Sequence, residues 1–136
     1  MRKRIILDAN VILRFLLADH KTHSAKALQL FEEAESGDSM KLFISDVCLA
    51  EVAWVLSSFY KLDREVIAAH LKGLLLHSGV DAENPTVLIE ACEAFGVLKL
   101  DFIDCYNAML AQYGDGELAT FDKDYRKFPN LKLMTW

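Results

Sequence analysis

The chain has 136 residues, a formal net charge of −5 at pH 7, 53% hydrophobic and 26% charged residues, and only 6 Gly and 2 Pro. That length predicts one domain, 1–136, burying about two-thirds of its unfolded surface, and the composition excludes disorder, collagen-like repeats and low complexity. The acidic balance argues against a protein that holds nucleic acid chiefly through a basic surface.

No apolar run approaches the roughly 18 residues of a membrane span. The basic head Met1-Arg2-Lys3-Arg4 is followed by an apolar stretch that stops at Asp8, too early for a signal peptide. Cys48, Cys92 and Cys105 are odd in number and form no CxxC pair. They read as small buried thiols in a reducing cytoplasm.

Along the chain, residues 4–8 read as a buried strand bounded by charge. Asp8 then precedes a second apolar stretch, 11–17, around Arg14. Residues 23–36 carry Ala27, Leu30, Phe31 and Ala34 at helical spacing, stopped by Gly37 and Asp38. Residues 41–44 form a second strand, and Ser45 caps a helix over 46–59. Asp63 caps another through 76. Pro85 and Thr86 open a fifth helical segment to 95, and Asp101 caps a sixth through 113, closed by Gly114 and Gly116. Residues 117–121 predict a strand, 122–127 one helical turn, and 131–135 a last strand. Strands separated by helices of 10 to 20 residues imply parallel pairing. The architecture expected is α/β, with helices on both faces of a mostly parallel sheet. Ligands in such folds bind beyond the carboxyl ends of the strands, where Asp8 and Asp122 lie.

Four acids draw notice. Asp8 sits between two apolar segments, where an uncompensated charge is costly; capping the following helix is its plainer role. Glu51 stands in Val47-Cys48-Leu49-Ala50-Glu51-Val52-Ala53-Trp54-Val55-Leu56, the one polar residue among apolar ones. That pattern predicts a buried glutamate in need of a partner. A salt bridge to Arg14 or a lysine, or a kinked helix that leaves Glu51 in water, are the structural alternatives. Asp104 lies three residues after Asp101, where the helix dipole favours an acid, yet it shares a stripe with Asn107, Ala108 and Ala111. Asp122 ends a strand and opens a turn. Converging, four carboxylates repel strongly and stay ionised only around divalent cations. A donor set of hard oxygens selects Mg²⁺ or Mn²⁺ over zinc.

The segments around these acids are Leu7-Asp8-Ala9-Asn10, Ser45-Asp46-Val47-Cys48-Leu49-Ala50-Glu51, Asp101-Phe102-Ile103-Asp104 and Thr120-Phe121-Asp122-Lys123-Asp124-Tyr125. In order, they resemble the D-x-N, S-x(5)-E, D-F-x-D and T-x-D-x-D-[FY] signatures of PIN-domain ribonucleases of the VapC toxin type. The resemblance implies a PIN-like three-layer sandwich and a cytoplasmic endoribonuclease dependent on Mg²⁺ or Mn²⁺. It implies an RNA substrate and a cognate antitoxin that silences the acidic cleft. Asp8, Glu51, Asp104 and Asp122 would be its catalytic and metal-holding quartet. Asn10 and Thr120 would orient those carboxylates, with Asp101 beside them as a competitor for the metal. Two departures stand out: Ala9 replaces a common Thr or Ser, and Asp101 adds an acid.

Arg14, Lys123 and Arg126 are candidates to hold RNA phosphates at the cleft rim; Lys127 reads as solvated. His20 and His23 read as a solvated loop, and His70 and His77 as a surface stripe. The apolar stretch 54–76, with Trp54 and Phe59, leans toward a homodimer contact over a monomer core. A non-catalytic PIN module that binds RNA or a protein partner is the alternative reading, although all four acids are kept. A haloacid-dehalogenase phosphatase would need an acid where Asn10 stands. A response-regulator receiver would need one at Ala9.

Overall fold

The computed structural model of the chain describes residues 2–136. Three strands, β1 (Lys3–Ile6), β2 (Met40–Ile44) and β3 (Val80–Ala82), form a parallel sheet in the order β1-β2-β3. Parallel neighbours cannot be joined by tight turns. The chain crosses from β1 to β2 through α1 (Ala9–Leu17) and α2 (Lys21–Ser36), and from β2 to β3 through α3 (Asp46–Ser58) and α4 (Arg64–Leu75). Beyond β3 come α5 (Pro85–Val97), α6 (Phe102–Tyr113) and a 3-10 turn, Lys123–Lys127. This is the α/β, PIN-like sandwich that the sequence predicts, with a parallel sheet flanked by helices.

The register explains which sheet face meets the core. Ile5 pairs with Leu42, Leu42 with Val80, and Ile44 with Ala82. Leu42, Ile44 and Val80 are buried there. The other face carries Arg4, Lys41, Phe43 and Asp81. Its contacts are polar or amphipathic: the Arg4 guanidinium lies 3.9 Å from the Phe43 ring centre, and Lys41 Nζ lies 3.7 Å from Asp81 Oδ1. The core continues through Leu49, Val52 and Leu56 of α3, Ile67 and Leu71 of α4, and Leu88 of α5, all fully buried. Each such side chain stabilises the fold by about 1.5–3 kcal/mol.

Local signals set the helix starts. Ser45 Oγ accepts from the Cys48 N–H at 3.1 Å, and Pro85 occupies the first turn of α5, where its missing N–H costs nothing. Close approach is enforced at Gly96, where a Cβ would lie 2.9 Å from Ala68 Cβ, so α5 can seat against α4.

Several expectations change. The strand β3 is absent from the sequence reading, because three residues are too few to show a period. The strands expected at 117–121 and 131–135 reduce to one parallel bridge between Leu118 and Leu133. Both of its hydrogen bonds involve Leu118, to Lys132 O and from Met134 N. Helix α2 begins at Lys21, two residues early, because the His20 imidazole caps it: Nδ1 accepts from the His23 N–H at 3.0 Å. His77 is not on a surface stripe. It lies edge-on to Phe31 and accepts from the Gly79 N–H at 3.0 Å. Among the described residues no helix is long and apolar enough to cross a membrane.

Candidate active site

Asp8 lies two residues past the end of β1. The Leu7 N–H donates to Phe43 O at 2.9 Å, carrying the sheet to the residue before it. Asp8 occupies the cap position of α1 with extended backbone, yet its side chain accepts no cap hydrogen bond. The carboxylate is exposed and not engaged in capping, so the plainer role considered for it is not the one it plays.

Glu51 is a correction: it is exposed, not buried. In α3 it shares an outward stripe with Val47 (80% exposed) and Trp54 (66% exposed). These large apolar residues turned to water are what make the helix look buried on all sides in sequence. Nor does Arg14 pair with it. Arg14 Nη1 donates to Asp19 at 2.7 Å and Nη2 to the Tyr60 hydroxyl at 2.8 Å. Those two hydrogen bonds hold the guanidinium against Asp19 and Tyr60.

The acids share neighbours two by two. Cys48 links Asp8 with Glu51. Its thiol, which donates to Leu7 O at 3.5 Å, is pushed up to about 11 by burial first and then by those two neighbouring carboxylates. Tyr125 links Asp104 with Asp122. Its hydroxyl donates to Asp104 Oδ1 at 3.0 Å, and both carboxylates lie close enough to raise its pKa, although burial is the larger cause. Helix α3, which carries Glu51, packs against α1, which follows Asp8, and against α6, which carries Asp104. Among the described residues no three of His, Cys, Asp and Glu are drawn together into a ready cation cage. The donors fit a hard divalent cation by type, all carboxylate oxygen.

Asp104 and Asp101 line a cavity of about 330 Å³ with Ala50, Trp54, Arg64 and Phe95. Asp101 holds the cap position of α6 but makes no cap hydrogen bond, so the expectation that it caps by side chain is not met. Asp122 does cap the 3-10 turn, Oδ1 accepting from the Asp124 N–H at 2.9 Å. Thr120 Oγ1 accepts from the Asp122 N–H at 3.0 Å and so fixes the backbone that carries the acid. Asn10 instead lines a groove between α1 and α2 with Arg14, His23, Lys26 and Leu30. Lys123 and Arg126 are exposed on the turn after Asp122.

Three supporting residues escape the sequence reading. Tyr125 holds Asp104. Arg64 donates from Nη1 to the carbonyls of Phe95, Leu98 and Leu100, at 3.1, 2.9 and 2.6 Å. Phe95 O belongs to the last turn of α5 and the other two carbonyls lie just beyond it, and the clamp sets where α6 and its two acids begin. Asp46 Oδ2 accepts from the Tyr106 hydroxyl at 2.6 Å and from Asn84 Nδ2 at 3.2 Å. That contact ties the starts of α3 and α5 to α6. All three join residues 21 to 60 positions apart, beyond the reach of local spacing.

A PIN domain is matched over residues 5–131. A VapC ribonuclease of Aquifex aeolicus (strain VF5) is 25% identical over 123 residues, 90% of this chain and 90% of that protein.

Proposed function

The chain belongs to the PIN-domain family, and from that premise we propose that it is an endoribonuclease, the toxin of a toxin–antitoxin pair, working with Mg²⁺ or Mn²⁺. One observation carries the proposal. Asp8 and Glu51 both bear on the Cys48 thiol, and Asp104 and Asp122 both on the Tyr125 hydroxyl, yet no basic side chain pairs with any of the four among the described residues. Carboxylates without a counter-charge keep oxygens free to ligate a hard divalent cation. The similarity to a VapC ribonuclease supports RNA as substrate and an antitoxin protein as partner.

In this reading Asp8, Asp104 and Asp122 hold the metal, and Glu51 ligates it or orients the attacking water. A divalent cation bound there would polarise the phosphodiester, lower the pKa of a bound water and stabilise the leaving oxygen. Tyr125 keeps the Asp104 carboxylate aimed, and Thr120 keeps the backbone of Asp122 in place. Lys123 and Arg126 meet phosphates at the rim. A side-chain nucleophile is not required. The thiols are pushed up to about 11 at Cys48 and about 12 at Cys92 and Cys105, by burial above all, the opposite of an activated cysteine.

The exposed Trp54, Phe59 and Leu76 support a homodimer contact, while Leu56, Leu74 and Leu75 from the same stretch fill the core. We assign the chain to a single PIN domain over 1–136 and to the cytoplasm.

The test is cleavage of single-stranded RNA by the purified chain, with chelator, then with Mg²⁺ or Mn²⁺ restored. Cleavage should vanish with chelator, return with metal and be lost in Asp8→Asn. Cleavage that survives chelation, or that Asp8→Asn retains, contradicts the proposal.

A further inference from the structure

Phe121 precedes Asp122 directly and is 86% exposed; Trp136 is 72% exposed. The two rings stack on each other, 4.7 Å between centres and 16° from parallel. The Trp136 indole N–H donates to Thr120 O at 3.2 Å, which pins the outer ring to the same segment. Thr120 also holds the backbone of Asp122 through its hydroxyl. Residues 120–122 therefore fix an acid of the site and an aromatic pair together. Consecutive Cα atoms are about 3.8 Å apart, so the rings lie within one nucleotide's reach of Asp122.

Two large rings left in water contribute little to the core. Their neighbours Lys123 and Arg126 are exposed and cationic. Flat, preordered aromatic faces beside cationic side chains match an unpaired nucleotide, with the base stacking on the ring and the phosphate meeting the charge. We propose that Phe121 and Trp136 form a platform on which one nucleobase of single-stranded RNA stacks, placing the adjoining phosphodiester at the acids. This rests on the ribonuclease reading and adds the recognition element. Every base has a π-face, so the platform selects unpaired RNA over duplex without reading sequence.

The test uses Trp54→Phe, which leaves Trp136 as the sole indole, in chelator so that RNA is bound and not cut. Its fluorescence is followed during titration with an unpaired oligoribonucleotide of about ten residues, the same strand in a duplex, and inorganic polyphosphate. The single strand should quench Trp136 saturably, with the duplex and polyphosphate far weaker. Phe121→Leu, which keeps apolar bulk without a π-face, should weaken binding about five- to a hundred-fold; Phe121→Tyr should restore it. Equal quenching by polyphosphate, or unchanged binding in Phe121→Leu, overturns the platform. So does no quenching by RNA, which hands the patch to a protein partner. Cleavage of the same oligonucleotide with Mn²⁺ is scored separately. Cleavage without base-dependent quenching defeats the platform alone, and quenching without cleavage defeats the ribonuclease reading alone.

Discussion

The Tyr125 hydroxyl donates to Oδ1 of Asp104 across 3.0 Å, although 21 residues separate them. The bond crosses from the 3-10 turn to α6 and limits how the Asp104 carboxylate can rotate. Where the family signature accepts Phe or Tyr, this chain has the residue that adds a donor. Tyr125→Phe should cost about 1 kcal/mol of stability and lower RNA cleavage about ten- to a hundred-fold, as loss of a group orienting a metal ligand does. Cleavage rates and a urea melt of the same variant check both. Cleavage at the wild-type rate would show that Asp104 needs no such support.

Asp101 and Asp104 should separate cleanly. Because the Asp101 side chain makes no cap bond, Asp101→Ala should change stability by less than the roughly 1 kcal/mol of a working N-cap. Asp104→Asn keeps Tyr125 as a donor to its amide oxygen and should fold normally, yet lose cleavage by orders of magnitude. Single-turnover cleavage beside a urea melt for each variant decides. Inactivity in Asp101→Ala with activity kept in Asp104→Asn would move the metal role to Asp101.

The Arg64 clamp predicts a stability defect with a distant consequence. Arg64→Met keeps an apolar stem but removes the guanidinium from over Phe95 and leaves three carbonyls without their donor. The expected loss is about 2 kcal/mol, the range for hydrogen bonds to a charged group. A calorimetric melt measures it; a variant as stable as wild type would show that water replaces the guanidinium.

Alkaline pH should unfold the chain through Tyr106. Its hydroxyl is pushed up to about 12 from 10.0, by the hydrogen bond to Asp46 first and then by burial. The folded state thus favours the neutral phenol. Its contribution is complete below pH 10 and lost as pH rises through about 12. The raised thiols of Cys92 and Cys105 add a similar decline starting near pH 9. Stability measured over pH 9–12 should fall less steeply in Tyr106→Phe than in wild type. Parallel curves would remove Tyr106 from the cause.

Much of the fold is legible in sequence where one local signal decides. Ser45, Pro85 and the α6 end at Tyr113 are read to within a residue or two because caps, rings and turns act on their own neighbours. Asp8 and Asp122 stand out because a charge after an apolar run is conspicuous. The reading fails where hydrophobicity does not imply burial. Val47 and Trp54 face water, so Glu51 between them is exposed as well. It fails again where a contact spans the chain, as with Tyr125 and Asp104 or Arg64 and Leu100. Strand β3 is too short to show a period, and its pairing with β2 comes from tertiary packing.

The central claim is that two pairs of carboxylates, Asp8 with Glu51 and Asp104 with Asp122, serve one divalent site. Calorimetric titration of Mn²⁺ into wild type, Asp8→Asn, Asp104→Asn and the double variant tests it most directly. The account predicts that each single change weakens the same binding event at least about ten-fold, the scale of losing even a supporting group of a metal ligand. The double variant should weaken that same event further and leave no second binding event behind. Independent, additive losses from two separate binding events, or Mn²⁺ affinity unchanged in either single variant, would contradict it.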